Sequence, residues 1–240
     1  GDNWLFDADR TDQRRLQDST VDVLARLHAI EDPLGRFGYL APEQDGETLL
    51  HRNLAKVRAW YDFAVRDLAP SPTVERALAW LEAHVPTAEE QGDPVLCWGD
   101  ARIGNVIYRD FEPVAVLDWE MATLGDPLMD FGVLLAYWTQ PEDPPELIEA
   151  RLSPTLLPGT PSRADVVELY ARASGNDVQN VVFYYAFGLY KVAVIVQQLY
   201  ARYVAGHTTD PRFANLMDGV RALSQVAWQS VQKGRIDRLF

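Results

Sequence analysis

The chain has 240 residues, 48% of them hydrophobic, and a formal net charge of −13 at pH 7. This length allows one large globular domain or two small ones, and seven Trp, ten Tyr and nine Phe argue against intrinsic disorder. The negative charge argues against nucleic-acid binding, which requires clustered Lys and Arg, and the scattered acidic residues are explained more simply by solubility than by a cationic substrate.

Apolar residues at helical spacing predict that the first 90 residues are mostly helical. The periodic segments are residues 10–30 and 47–68. A third helix is expected to begin at Ser71-Pro72, because Ser is a preferred N-cap and Pro is favoured at the first helical position. Residues 87–94 are predicted to form a polar loop.

Short extended segments are predicted in the middle of the chain, followed by helices to the C-terminus. The extended segments are residues 95–98, 105–108 and 114–117, the last pairing back across a turn at residues 110–113. The later helices are predicted over residues 128–138, 142–151, 163–174, 177–205 and 211–232.

The most apolar stretch, residues 181–196, contains Lys191 and is shorter than the ~20 residues that span a bilayer. We therefore expect a buried helix there and no membrane partner. The one cysteine, Cys97, permits no internal disulfide and is typical of a reducing compartment, so a cytoplasmic location is expected. The oligomeric state stays open.

Three polar residues have the order and spacing of a kinase catalytic centre. Kinases carry a catalytic-loop Asp, an Asn five positions later that holds Mg²⁺, and a downstream metal-binding Asp. Asp100 and Asn105 are five positions apart, and Asp118 ends the apolar run 114–117. Asp100 or Asn105 alone would be an ordinary loop residue, whereas a carboxylate that ends a buried strand is costly unless it is paired or metal-bound. Together they predict a metal and phosphate site.

The surrounding motifs resemble the aminoglycoside phosphotransferase family, the small-molecule branch of the protein-kinase-like fold. They are Gly99-Asp100-x-Arg102-x-Gly104-Asn105, Leu117-Asp118-Trp119-Glu120 and Leu124-Gly125-Asp126-Pro127. The sequences of these motifs, and of residues 183–206, also resemble the kinase-like domains associated with acyl-CoA dehydrogenases. The resemblance covers most of residues 20–230 and is tight over 99–132. It implies an α+β, mainly helical fold: a protein-kinase-like C-terminal lobe with a small β-hairpin at the catalytic loop.

Two features depart from the family pattern. Trp98 stands where His is usual, although an aromatic ring can keep the packing role of that His. No GxGxxG occurs, and the only lysines are Lys56, Lys191 and Lys233, all in helix-like surroundings. We therefore expect residues 1–240 to form a single C-terminal lobe, with an N-terminal nucleotide-binding lobe as the missing partner, and to be a poor enzyme alone.

The resemblance implies an ATP-dependent phosphotransferase that uses Mg²⁺ or Mn²⁺ and acts on a hydroxyl of a small molecule. Asp100 is the expected base or hydroxyl-orienting group. Arg102 is expected to support Asp100 or to contact a phosphate; equally, it could form an ordinary surface ion pair. Asn105 and Asp118 are the expected metal and cofactor-binding residues. Glu120 is also expected to bind the metal, either directly or by contacting a metal ligand. The alternative is that Glu120 is a carboxylate at the start of a helix.

Several alternatives stay open. The acceptor is a hydroxyacyl or similar metabolite, or an aminoglycoside. A catalytically impaired pseudokinase or ligand-binding module is the second hypothesis, and a metal-dependent hydrolase is a distant third. Asp130-Phe131-Gly132 spells the kinase DFG motif, but it lies 30 residues after Asp100, whereas Asp118 lies 18 after it. Asp126 and Asp130 are therefore predicted to be structural anchors.

Overall fold

The computed structural model describes residues 3–240, which contain ten α-helices and four short β-strands. The helices are α1 (Asn3–Phe6), α2 (Arg10–His28), α3 (Pro33–Phe37), α4 (Leu49–Ala64), α5 (Pro72–Ala83), α6 (Pro127–Tyr137), α7 (Pro145–Ala150), α8 (Arg163–Ser174), α9 (Val181–Val204) and α10 (Leu216–Lys233). The strands are β1 (Val95–Cys97), β2 (Val106–Arg109), β3 (Glu112–Val116) and β4 (Thr123–Gly125). The predicted, mainly helical character is confirmed.

Helix α9 forms the centre of the fold and packs against α4, α5, α6 and α10. Apart from Lys191, its first half is apolar or aromatic on every side, which is typical of a helix buried all round. Within the described residues it is the one helix whose length and composition would allow it to cross a membrane, yet 72% of its most apolar window is buried inside the protein. The prediction of a buried helix is confirmed.

Helices α6 and α9 touch backbone to backbone. A Cβ atom added to Gly132 would lie 2.0 Å from the carbonyl oxygen of Tyr184, and one added to Gly188 would lie 2.1 Å from the carbonyl oxygen of Gly132. Neither distance is possible for a side chain, so only glycine permits this crossing. The crossing therefore fixes the two helices at the closest approach that their backbones allow.

The strands form two antiparallel pairs. β1 pairs with β4, and Val95 lies opposite Gly125. β2 pairs with β3, Val106 lies opposite Val116, and a bulge follows Ile107. Because the residues between β1 and β2 and those after β3 meet beside these pairs, the strands bring together the two sequence segments that carry the predicted catalytic residues.

The structure differs from the sequence prediction in three local details. The segment predicted as one helix over 211–232 is a short 3₁₀ turn, Pro211–Phe213, followed by α10. The polar loop over 87–94 likewise contains a 3₁₀ turn, Ala88–Glu90. Ser71 precedes α5 and Pro72 begins it, as predicted, but the Ser71 hydroxyl lies 3.1 Å from Oγ1 of Thr73 and does not cap the helix.

Candidate active site

The loop between β1 and β2 is held in place through the backbone of Gly99. This residue has φ +91°, and a Cβ atom there would lie 2.0 Å from the carbonyl oxygen of Met121, so the position requires glycine. Asp130 on α6 accepts hydrogen bonds from the N–H groups of Trp98 and Gly99, the latter at 2.8 Å. Lys191 on α9 donates its ammonium group to the Gly99 carbonyl at 2.6 Å. Both the N–H and the carbonyl of Gly99 are therefore held by side chains from the helical core.

Asp100 follows this anchored glycine, and three side chains donate to its carboxylate. The Tyr137 hydroxyl donates to Oδ1 at 2.9 Å, while Asn105 Nδ2 and Arg102 Nε donate to Oδ2 at 2.6 and 3.3 Å. The Arg102 guanidinium also lies over the Tyr137 ring, 5.4 Å from its centroid. The contact fits the predicted supporting role of Arg102, and the three donors together orient the carboxylate.

Asn105 and Asp118 lie side by side at the open end of the β2–β3 pair. The N–H of Leu117 donates to the Asn105 carbonyl at 2.8 Å, which places Asp118 next to Asn105. The amide nitrogen of Asn105 is used by Asp100, so its amide oxygen is left to face a ligand. Asp118 has left-handed backbone angles, φ +56° and ψ +60°, and an exposed side chain that caps no helix. Strained non-glycine residues of this kind concentrate at functional sites.

Trp98 fills the position where the family has His. Its side chain is fully buried, and its indole N–H donates to the carbonyl of Leu117 at 2.7 Å. Its ring centroid lies 6.2 Å from that of Trp119. The tryptophan therefore provides packing and also a hydrogen bond that ties the catalytic loop to the residue before Asp118.

Asp126 and Asp130 are structural anchors, as predicted. Asp126 caps α6 through the N–H of Leu128 at 2.7 Å and accepts a hydrogen bond from the Tyr184 hydroxyl at 2.7 Å. Burial raises the pKa of Asp126, although these hydrogen bonds oppose the shift. Asp130 is buried between the loop backbone and His28. Its carboxylate faces away from the solvent and cannot be the metal ligand that its DFG spelling suggests.

A cleft of about 1500 Å³ opens beside Asp100. Its apolar wall comes from α4 and α9 and includes Trp60, Phe63, Val192, Ile195, Val196 and Leu199. Its ionisable residues are Arg66, Arg102, Arg202, His207, Asp67, Asp100 and Glu120. Glu120 lies in a 3₁₀ turn, Trp119–Met121, and is not extended from Asp118. Large, mostly apolar clefts with a few convergent polar groups are the usual form of small-molecule sites.

Two residues of this site were not predicted from the sequence. The sequence presents Lys191 as an interruption of an apolar helix and as a lysine in helix-like surroundings, with no role predicted for it in the site. The interruption is itself the signal, since a charged side chain in a buried helix needs a partner. Tyr137 carried no comparable signal, because an aromatic residue at the end of an apolar helix is ordinarily part of the core.

The donor set fits a hard cation such as Mg²⁺. Within the described part of the chain no three His, Cys, Asp or Glu side chains come together as a self-sufficient metal cluster. Asn105 and Asp118 offer one amide oxygen and one carboxylate. Mg²⁺ is commonly held by one or two carboxylates together with substrate phosphates, so a sparse oxygen set of this kind suits it.

The sequence has curated relatives among acyl-CoA dehydrogenase family members. Member 10 of Mus musculus is 28% identical over 221 residues, which cover 88% of this chain and 19% of the relative. Member 11 of Gallus gallus is 28% identical over 236 residues, which cover 92% of this chain and 29% of the relative. The chain therefore spans less than a third of the length of these relatives.

Solved structures with the same fold are phosphotransferases and kinases. A Ralstonia eutropha protein assigned as an aminoglycoside phosphotransferase superposes with a TM-score of 0.75 at 23% identity, covering 94% of this chain and 67% of the other. A choline/ethanolamine kinase family protein from Mesorhizobium loti gives a TM-score of 0.55 at 16% identity, covering 92% and 63%. These similarities show a kinase-like phosphotransferase fold.

The family model described as "Phosphotransferase enzyme family" matches residues 4–165 of the sequence. The match, the fold and the relatives together confirm the predicted kinship with aminoglycoside phosphotransferases and with acyl-CoA dehydrogenase family members. They support a small-molecule phosphotransferase. The chain belongs to the phosphotransferase enzyme family.

Proposed function

We propose that this chain carries the catalytic and acceptor-binding part of an ATP-dependent phosphotransferase that uses Mg²⁺ or Mn²⁺ and acts on an alcohol group. One observation carries the proposal: the Asp100 carboxylate is fixed by three donors at the mouth of the cleft, beside Asn105 and Asp118. The acceptor oxygen forms a bond to the γ-phosphorus as the bond to the β-phosphate oxygen breaks. The hydroxyl proton passes to Asp100, and ADP leaves.

The remaining residues have distinct roles in this proposal. Arg102 and Tyr137 orient Asp100, and Arg102 is close enough to the cleft to meet a phosphate oxygen. Asn105 and Asp118 would hold the metal, with Glu120 as a further candidate. A metal bound there would offset the negative charge of the phosphates.

The outer face of the hairpin supports a nucleotide beside these ligands. Ile107, Val114 and Leu117 are 47%, 51% and 42% exposed, and Leu117 directly precedes Asp118. Exposed apolar side chains that cluster next to a polar site mark contact surfaces. We propose that the nucleotide base packs on this face and that a nucleotide-covering lobe outside these 240 residues completes the site.

The lining of the cleft favours one of the two acceptor classes. An aminoglycoside carries several positive charges and requires an excess of carboxylates, whereas the cleft has three arginines and one histidine against three acidic residues. Its apolar wall instead suits a hydrocarbon body. We therefore propose an acceptor with a hydroxyl, an apolar body and an anionic group, such as a hydroxyacyl metabolite.

No observation favours the pseudokinase alternative. Its sequence arguments are Trp98 and the missing nucleotide-binding lobe. Trp98 packs in the core and donates a hydrogen bond to the Leu117 carbonyl. The Asp100, Asn105 and Asp118 set is intact. A hydrolase would use the same residues with water as the acceptor, but a cleft of about 1500 Å³ is far larger than water requires.

The test is phosphate transfer from labelled ATP by the full-length protein. Acceptors would be hydroxyacyl-CoA esters, free hydroxy fatty acids, amino alcohols and aminoglycosides. We expect transfer to a hydroxyacyl acceptor and a loss of about 10²–10⁴-fold in kcat for Asp100→Asn, with Mg·ATP affinity nearly unchanged. Transfer only to aminoglycosides would overturn the acceptor class. Nucleotide binding without transfer to any acceptor would instead indicate a binding module.

A further inference from the structure

Lys191 is a charged residue in the middle of the central helix. It is 6% exposed, and its ammonium group donates to the carbonyl of Gly99, 92 residues earlier in the chain. Burial lowers the pKa of Lys191, and the carboxylates of Asp130 and Asp100 oppose that shift. Burying an ammonium group costs free energy unless neighbouring groups compensate it. An apolar residue at this position would fill the core without that cost, so the lysine calls for a role other than packing.

The Gly99 unit is held by two residues on two helices. Asp130 on α6 accepts from its N–H, and Lys191 on α9 donates to its carbonyl. Because α6 and α9 touch through Gly132 and Gly188, the two anchoring side chains come from elements with little freedom to move apart. The carbonyl of Gly99 belongs to the peptide bond that leads directly into Asp100. This pair of contacts therefore fixes the backbone from which the Asp100 side chain projects.

The same helix also forms the acceptor wall. Val192 directly follows Lys191, and Ile195 and Val196 lie one turn further along; all three line the cleft. A single rigid helix therefore fixes both the backbone that carries Asp100 and the surface against which an acceptor rests. The distance between the base and the acceptor hydroxyl depends on that helix.

We propose that Lys191 is a positioning residue for phosphoryl transfer: it holds the Gly99 carbonyl so that the Asp100 carboxylate meets an acceptor resting on α9. This inference rests on the proposed function. Lys191 touches neither nucleotide nor acceptor and acts through Asp100. Its removal should therefore affect the rate of the chemical step rather than the binding of either substrate.

The first experiment compares Lys191→Met with a matched control in the full-length protein. Gln197 is also fully buried on α9, and among residues 3–240 neither of its amide atoms has a hydrogen-bond partner, so Gln197→Met removes a buried polar group without touching the loop. With Mg·ATP and a hydroxyacyl-CoA acceptor, we expect Lys191→Met to lower kcat about 10²-fold, the scale of a misplacement of about 1 Å. Both KM values should stay within about threefold, and Gln197→Met should match wild type.

A double substitution separates positioning from general destabilisation. In an Asp100→Asn background, Lys191→Met should cause no further loss, because residues that act as a unit are non-additive. Losses that multiply would overturn the proposal. If Lys191→Met does not fold, as judged by circular dichroism, Lys191→Gln replaces it; a loss of at least about tenfold in kcat supports the proposal, and an unchanged kcat overturns it.

The outcomes distinguish this inference from the function on which it rests. If wild type and Lys191→Met transfer phosphate equally well, only the role of Lys191 is overturned. Wild-type protein that transfers no phosphate to any acceptor overturns the proposed function, and the positioning role with it. A fall in kcat accompanied by an equal rise in either KM would assign Lys191 to substrate binding and overturn the positioning role.

Discussion

The hydroxyl of Tyr137 donates to Oδ1 of Asp100 at 2.9 Å, and both residues line the cleft. Tyr137 is the last residue of α6, the helix whose first turn carries Asp130. One short helix therefore holds both the backbone of the β1–β2 loop and the Asp100 carboxylate. Because Asn105 and Arg102 occupy the other carboxylate oxygen, the Tyr137 hydroxyl shares Oδ1 with any acceptor that approaches from the cleft.

We predict that Tyr137→Phe lowers kcat by about 10- to 100-fold, because a hydrogen bond to a charged group is worth ~1.5–3 kcal/mol. Acceptor KM should change little. The matched control is Tyr190→Phe, since the Tyr190 hydroxyl is buried and has no hydrogen-bond partner within residues 3–240. Steady-state kinetics of both variants checks this. Equal kcat values for Tyr137→Phe and wild type would show that the Asp100 orientation does not depend on the tyrosine.

If Asn105 and Asp118 hold the phosphates through a metal, as proposed, removing the metal should abolish most nucleotide binding by the full-length protein. Asp118→Asn should weaken ATP binding in Mg²⁺ but leave the weak binding in EDTA unchanged. Calorimetric titration under both conditions measures the difference. Equal ATP affinity of the wild-type protein with Mg²⁺ and with EDTA would contradict the metal assignment.

Glu120→Gln tests whether the Glu120 carboxylate binds the metal or contacts the acceptor in the cleft. Glu120 lines the cleft with Asp100 and Arg102 and lies in the 3₁₀ turn Trp119–Met121. We expect acceptor KM to change more than Mg²⁺ dependence. Kinetics at several Mg²⁺ concentrations decides the case, and a raised Mg²⁺ requirement with unchanged acceptor KM would make Glu120 a metal ligand.

The glycine crossing predicts a large stability effect far from the loop. Gly132→Ala places a methyl group 2.0 Å from a backbone oxygen, and overpacking of this kind typically costs about 1–3 kcal/mol or more. Gly219→Ala in α10 is the control, because a Cβ there meets nothing within 4 Å. It should stabilise the protein by about 0.5–1 kcal/mol. Urea denaturation measures both, and a neutral Gly132→Ala would mean that the helices can separate freely.

The sequence was sufficient to predict features set by local pattern. Helical periodicity located α2, α4 and α9 within a few residues. The Asp100–Asn105 interval lies inside one loop, so its residue types and spacing are visible in the sequence itself. Both kinds of signal are short in range. They do not require knowledge of which distant segments meet.

Features that depend on distant partners were missed. Lys191 meets a carbonyl 92 residues away and Tyr137 a carboxylate 37 residues away, and neither separation has a periodicity to reveal it. β4 is three residues long and exists because β1 pairs with it. Ser71 had the right identity for a cap, but its hydroxyl found Thr73 instead. In each case tertiary contact decided what local propensity left open.

The paired indoles of Trp98 and Trp119 have an optical consequence. Their centroids are 6.2 Å apart with planes inclined at 38°, one ring buried and the other exposed. Trp98 directly precedes Gly99-Asp100, and Trp119 directly follows Asp118. Closely spaced indoles couple in circular dichroism. If a nucleotide binds beside Asp118, as proposed, it should cover the exposed ring of Trp119 and change this signal in the unmodified protein.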